Sequence, residues 1–288
     1  LSEIIGQDRA VSILTRTLQR GRMSSAYLFA GESGIGKRLT ALNLAKAINC
    51  KGRNDDKGLP VPDFVSGPLI EPGKQQAELS PEQIGPDACD VSASCRKIES
   101  GVHPDVLVIG PEKGEIKVEE IRAIEGALSF MPYEGRRKVV IIDDADTMNQ
   151  SAANAFLKTL EEPPDKSLLI LIAASPYMLP ETIISRCSRI NFSPLSEEAC
   201  KKVIEKGIGM AASRSTKQPD GGTDPDTLAR LCMGRPGLAL SSDRFSYGAR
   251  FAELLKSMLN NGSEIWSDSE EIEKWLDMAV IFMRDLTM

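Results

Sequence analysis

The 288 residues carry 35 Lys and Arg against 41 Asp and Glu, a net charge of −6, with 41% apolar and 26% charged residues. That is the composition of a folded globular chain long enough for two domains and part of a third. It contains no apolar run near the ~20 residues a bilayer requires, and its acidic balance argues against broad attachment to DNA by this chain alone. Six cysteines with no visible secretory signal read as thiols or metal ligands of a reducing cytoplasm. The chain begins at Leu1 rather than Met, so the true N-terminus is expected to lie elsewhere.

Over residues 7–18, Ala10, Val11, Leu14 and Leu18 recur at helical spacing. Residues 26–30 read as a short buried strand running into a glycine-rich loop, and 40–48 as the helix that follows, with Ala41, Leu44, Ala45 and Ile48 on one face. Residues 51–88 hold Gly, Pro, Asp, Lys and Gln with little periodicity and predict a long, mobile insertion. Regular structure resumes with a helix over 94–100, a strand over 105–109 and an amphipathic helix over 118–130 carrying Ile121, Ile124 and Leu128. The unbroken Val and Ile of 138–142 predict a strand buried on both faces. A helix over 152–161 stops at Pro163 and Pro164, and strands follow over 167–174 and 189–192. Strands alternating with helices predict an α/β parallel sheet wrapped on both sides. After Pro194 only helices are readable, including one over 226–232 that ends near Gly234. The expected domains are therefore 1–193 (with 51–95 as insertion), a helical lid over 194–245, and the truncated start of a further helical domain over 246–288.

Two segments a hundred residues apart carry the chemistry. Gly31, Gly34, Gly36 and Lys37 stand in a phosphate-loop pattern between a strand and a helix. The glycines let backbone N–H groups curl around phosphates, the helix points its positive end at them, and Lys37 pairs with the outer phosphates. Asp143 and Asp144 end the apolar strand, where Asp143 would hold magnesium and Asp144 takes the place of a general base. ATP or ADP is the expected ligand. The residue after the lysine is usually Ser or Thr, whose hydroxyl binds magnesium. Here it is Arg38, which has no acceptor to give a cation. Thr40 comes too late on the helix to replace that hydroxyl, and Asp144 is a methylene shorter than Glu. The segments predict phosphate binding without self-sufficient hydrolysis. The plain alternative is a glycine turn and a polar strand end.

The series from Ile116 to Arg122, from Pro132 to Asp146, from Ala152 to Pro164 and from Leu179 to Cys187 resembles the bacterial clamp-loader ATPases of the AAA+ class, over about residues 3–245. That resemblance implies a P-loop AAA+ sheet, a small all-α lid, and membership of a ring that loads a sliding clamp on primed DNA. The implied partners are gamma/tau-like motor subunits and a delta-like wrench, with the clamp met indirectly, DNA met only within the complex, and no membrane. It also implies that Arg186, in Ser185-Arg186-Cys187, is an arginine finger reaching a neighbour's ATP site; the plain alternative is a surface arginine paired with a carboxylate. Gly237 falls where motor members carry a phosphate-sensing arginine, and Ala174 or Ser175 falls at a polar position near the end of a strand. Arg38, Asp144 and Gly237 together suggest a stator that donates an arginine while hydrolysing little itself. An active motor and a nucleotide-binding regulator outside replication are the competing readings.

Family members often carry four zinc-binding cysteines. Cys50, Cys89 and Cys95 match three of those positions, but Ser92 stands at the fourth. Serine is a very poor zinc ligand, and a closed structural site requires four good ones. Zinc, with Asp90 or His103 completing the set, and a lapsed site of thiols are both left open; His103 precedes Pro104 and also reads as a turn residue. Cys200 and Cys232 lie in apolar helical pattern and read as core, and Cys187 as packing beneath the finger.

Overall fold

Four strands follow from apolar runs, β1 Ala26–Ala30, β2 Val106–Ile109, β3 Lys138–Ile142 and β4 Ser167–Ala173, and a fifth, the more polar β5 Ser188–Asn191, joins them. The computed structural model describes residues 1–50, 87–111, 114–214 and 225–240. Most of the expected 51–88 insertion and all of the expected 246–288 domain lie outside the described residues. Two compact units are present, Leu1–Leu195 and Ser196–Met288.

In the first unit the strands form one sheet, all pairs parallel, in the order β2-β3-β4-β1-β5. Every residue of β1 and β4 is buried, as expected of strands with a neighbour on each side and helices on each face. β5 sits at the edge with only Ile190 buried, and Phe192, expected within it, lies just beyond. Its amide still donates to the Ala30 carbonyl at 2.8 Å.

The pleat sends alternate residues to opposite faces. Leu28, Val140, Ile142, Leu169 and Leu171 meet Ile121, Ile124 and Leu128 of α4 (Val118–Leu128) and Phe156 and Leu160 of α5 (Gln150–Glu161). Tyr27, Phe29, Val139, Ile141, Leu168 and Ile170 are buried on the other face, where α2 (Lys37–Asn49) packs on β4. α1 spans Asp8–Gln19, and α3, Ala93–Glu99, packs beside α2. A one-turn helix, α6 (Glu181–Ile184), was not apparent in the apolar pattern; it is anchored by the buried Ile183.

The second unit contains α7 (Glu197–Arg214), α8 (Pro225–Leu231) and α9 (Pro236–Leu240). Cys200 and Cys232 are buried within it, in keeping with their reading as core. A Cβ on Gly207 would come within 2.6 Å of Leu240 Cδ2, so glycine permits the close approach of α7 and α9. Pro236 opens α9, a position where its missing N–H is no loss, and Gly237 follows with no side chain to sense a phosphate.

Candidate functional site

β1 delivers the chain into the loop at Gly31, whose φ of 149° and close neighbours exclude any side chain. A Cβ there would lie 2.5 Å from the Phe192 carbonyl oxygen and 2.9 Å from Ile35 Cδ1. The Gly31 amide donates to the Ala173 carbonyl at 3.2 Å, which ties the loop to the end of β4. Gly34 and Gly36 also adopt positive φ, and Gly36 caps α2, whose first residue is Lys37. The helix thus starts three residues earlier than its apolar face suggests, because the loop itself supplies the cap. The Lys37 ammonium donates to the carbonyls of Gly31 and Glu32, the latter at 2.7 Å. Burial pulls its pKa down, opposed by the carboxylates of Asp144, Asp146, Asp143 and Glu32.

β4 separates β1 from β3, so the loop and the acidic strand end stand on the same C-terminal edge of the sheet, where open α/β sheets take ligands. The Arg38 guanidinium, 62% exposed, lies with Nη1 3.4 Å from Asp143 Oδ2. Arg38, Asp143 and Asp144 line one cleft with Leu42, Ile98 and Gly110. Asp144 turns into the left-handed region, φ 47°, directly after β3. Burial raises its pKa, with repulsion from Asp143 and Asp146 adding to it and Lys37 and Arg38 opposing it. Asp146 accepts the Ser175 amide at 2.7 Å through Oδ2, so Ser175 meets the acidic segment through its backbone. The Thr40 hydroxyl donates to the Gly36 carbonyl at 2.9 Å and is committed within its own helix. The loop's donors suit phosphate, and Arg38 stands where magnesium would find its usual hydroxyl. A hard cation needs oxygen ligands, and the residue beside Asp143 is a guanidinium that offers none.

Arg186 follows the last turn of α6. Its Nη2 donates to Glu161 Oε1 at 2.8 Å and its Nη1 to the Thr182 carbonyl at 2.9 Å, with the side chain 37% exposed. Cys187 beneath it packs against the core, and burial pushes its thiol up to about 12.

The cysteines converge. The ligand atoms of Cys50, Cys89 and Cys95 all lie within 4.8 Å of one another, with Cys50 Sγ 3.3 Å from Cys89 Sγ. Ser92 Oγ is 3.9 Å from Cys50 Sγ, but it caps α3 by accepting the Cys95 amide at 3.3 Å. The Ser92 hydroxyl draws the Cys89 thiol down to about 6, against burial and with help from Cys50 and the Ser92 and Val91 amides. Burial pushes Cys95 up to about 11. Neither substitute ligand joins the group. Asp90 accepts the Lys46 ammonium at 2.8 Å. His103 is buried, with Nε2 3.2 Å from Ser94 Oγ and Nδ1 accepting the Asp105 amide at 3.1 Å. Among the described residues the cluster offers three thiols and no fourth good zinc ligand.

Three further residues shape the site without any sequence signal having marked them. Gln7, expected only as a helix start, is buried and braces the loop, its Nε2 donating to the Ile35 carbonyl at 3.1 Å and the Ser193 carbonyl at 2.8 Å. Asn49 Oδ1 accepts the amides of Arg136 and Arg137 at 2.9 and 3.0 Å. Asp105 accepts those of Tyr133, Glu134 and Gly135 at 2.7–2.8 Å. Together the last two hold the turn that launches β3 and, at its far end, Asp143. A buried polar residue amid apolar neighbours was the only available hint.

The family model described as DNA polymerase III, delta subunit, matches residues 6–65 and 74–196. DNA polymerase III subunit delta' of Bacillus subtilis is 33% identical over 209 residues, 72% of this chain and 54% of that protein. Subunit tau of the same organism is 34% identical over 197 residues, 68% of this chain and 30% of its own length. Subunit delta' of Pseudomonas aeruginosa is 34% identical over 170 residues, 58% of this chain and 43% of that one. The chain therefore spans about half or less of the length of these relatives. A DNA polymerase III gamma subunit-related protein from Thermotoga maritima aligns over 94% of this chain and 91% of its own, at 18% identity and a TM-score of 0.47.

Proposed function

The chain belongs to the DNA polymerase III delta subunit family, and from that premise we propose that it is the delta'-like stator of a bacterial clamp loader. In this reading it donates Arg186 to the ATP site of a neighbouring gamma/tau-like motor while a delta-like wrench opens the sliding clamp, and it meets DNA only within that cytoplasmic assembly. The observation that carries the reading is the Arg38 guanidinium against Asp143, where a working ATPase of this fold needs a hydroxyl and a metal. Arg186 supports it. Its charge is held at the surface by Glu161, itself half exposed, and an exposed pair of this kind contributes about 0–1 kcal/mol. A neighbour's phosphate could take the guanidinium over at little cost and gain bidentate, charge-assisted hydrogen bonds.

The motor reading has Lys37, the loop glycines and the tau relative in its favour, but it has a guanidinium where the metal-binding hydroxyl would stand beside Asp143. The deciding experiment is DNA-stimulated ATP turnover by the reconstituted loader with Arg186→Ala. Loss of a finger lowers turnover at the adjoining site by about a thousandfold. Unchanged turnover would reduce Arg186 to the surface ion pair it makes with Glu161 and bring the motor reading forward.

A further inference from the structure

Arg38 occupies the one place in the phosphate loop where a metal-binding hydroxyl belongs, and it uses that place. Its guanidinium reaches Asp143 Oδ2 at 3.4 Å and so neutralises the carboxylate that would otherwise face a phosphate or a cation. The side chain stands on the first turn of α2, one residue after Lys37, on the wall of the cleft shared with Asp143 and Asp144. Because it is 62% exposed and carries five donors, it can keep Asp143 and reach a phosphate at once without unpacking anything. Thr40, the nearest hydroxyl on the helix, is already donating to Gly36. We infer that this loop takes a nucleoside diphosphate without magnesium, with Arg38 serving as the second cation beside Lys37.

The charge balance favours that ligand. Magnesium in a hydrolysing site bridges the outer two phosphates and spreads their charge. Here two positive side chains replace it, and the three carboxylates of Asp143, Asp144 and Asp146 already act on Lys37. A diphosphate loads that arrangement with less uncompensated charge than a triphosphate. Magnesium would have to share Asp143 with the guanidinium and would lack the hydroxyl that Arg38 replaces. The nucleotide becomes a lasting structural ligand rather than a fuel, as suits a subunit that stays still.

The inference rests on reading the loop as a nucleotide site, and titration calorimetry of the full chain with ADP separates the two. The expected result is the same affinity, within about a factor of two, in excess magnesium chloride and in EDTA. In Arg38→Thr, which restores the hydroxyl and frees Asp143, affinity in EDTA falls about tenfold and is recovered by magnesium. Circular dichroism melting of the variant checks that it is folded, and the comparison on the unaltered chain needs no variant at all. Binding by the unaltered chain that strengthens tenfold or more with magnesium overturns the inference, and so does tighter binding of ATP than of ADP in EDTA. No binding in either buffer overturns it together with the nucleotide reading of the loop, and leaves the Arg186 experiment unaffected.

Discussion

Asp105 is 1% exposed, and its two oxygens hold three successive backbone N–H groups from the turn before β3. Charge-assisted bonds to a buried carboxylate are worth more than neutral ones, and their loss leaves buried donors unpaired. Asp105→Ala is expected to lower stability by about 3 kcal/mol, read as a shift in the urea midpoint with an unchanged slope. Burial by itself would raise this carboxyl; the amides of Gly135, Tyr133 and Glu134, with His103, outweigh it and hold the pKa below its ordinary 3.8. The stabilisation is therefore complete above 3.8 and fades as pH falls through the lower folded-state value. Urea midpoints between pH 7 and pH 2 should show the unaltered chain losing stability over that acid range and the Ala variant losing less. Gly135 shows the same crowding, since a Cβ there would come within 2.9 Å of Asn49 Oδ1 and 3.3 Å of Asp105 Oδ2.

α3 shows how one hydroxyl divides an element between structure and chemistry. Ser92 serves as its N-cap, a role in which serine is stabilising by about 1 kcal/mol, and it thereby stands 3.9 Å from the Cys50 sulfur in a cluster of three thiols. Ser92→Cys gives up part of the cap and adds a fourth sulfur. The variant should carry about one equivalent of zinc per chain by metal analysis after purification without chelator, and the unaltered chain well under one, because four good ligands close a structural site and three do not. A full equivalent in the unaltered chain would show that a fourth ligand is already present. Equal, low content in both would mean that the cluster no longer has the geometry for zinc. α6 divides its residues differently: Ile183 is buried beside α5, while Arg186 just past its end stays at the surface. The short helix positions a charge and contributes little else.

At the scale of the whole molecule, one sheet brings the loop after β1 and the carboxylates after β3 to a common edge, and Arg186 lies on a connection between β4 and β5. The phosphate-loop pattern and Arg186 thus stand at separate places on one scaffold, and each should be removable without the other. Lys37→Ala should weaken nucleotide binding by the isolated chain, because it removes the buried cation of the loop and leaves Arg38 alone, yet the stator reading requires turnover of the reconstituted loader to change by less than about twofold, with the chemistry at the neighbour. A large loss of loader turnover from that substitution would sink the stator reading. The net charge of −6 is of the wrong sign for broad attachment to DNA by this chain alone.

The sequence by itself determined most elements of this protein and the residue pattern from which its ligand is proposed. The runs at 26–30, 139–142 and 168–173 are apolar at every position because both faces of their strands are covered, and that is a local property. So is the spacing of Ile121, Ile124 and Leu128, and so is the pattern Gly31, Gly34, Gly36, Lys37 with its missing hydroxyl. The tertiary structure alone decided the strand order, which inserts β1 between β4 and β5, and with it every partner. Arg38 meets Asp143, Arg186 meets Glu161, Cys50 meets Cys89, and Gln7 meets Ser193 across 186 residues of chain. Periodicity reports which face a residue occupies and not who stands opposite, since the opposite residue is set by how distant segments close on one another. Asp105 and Asn49 looked like ordinary polar residues for the same reason: their partners are backbone amides of a turn about 30 and 90 residues further on.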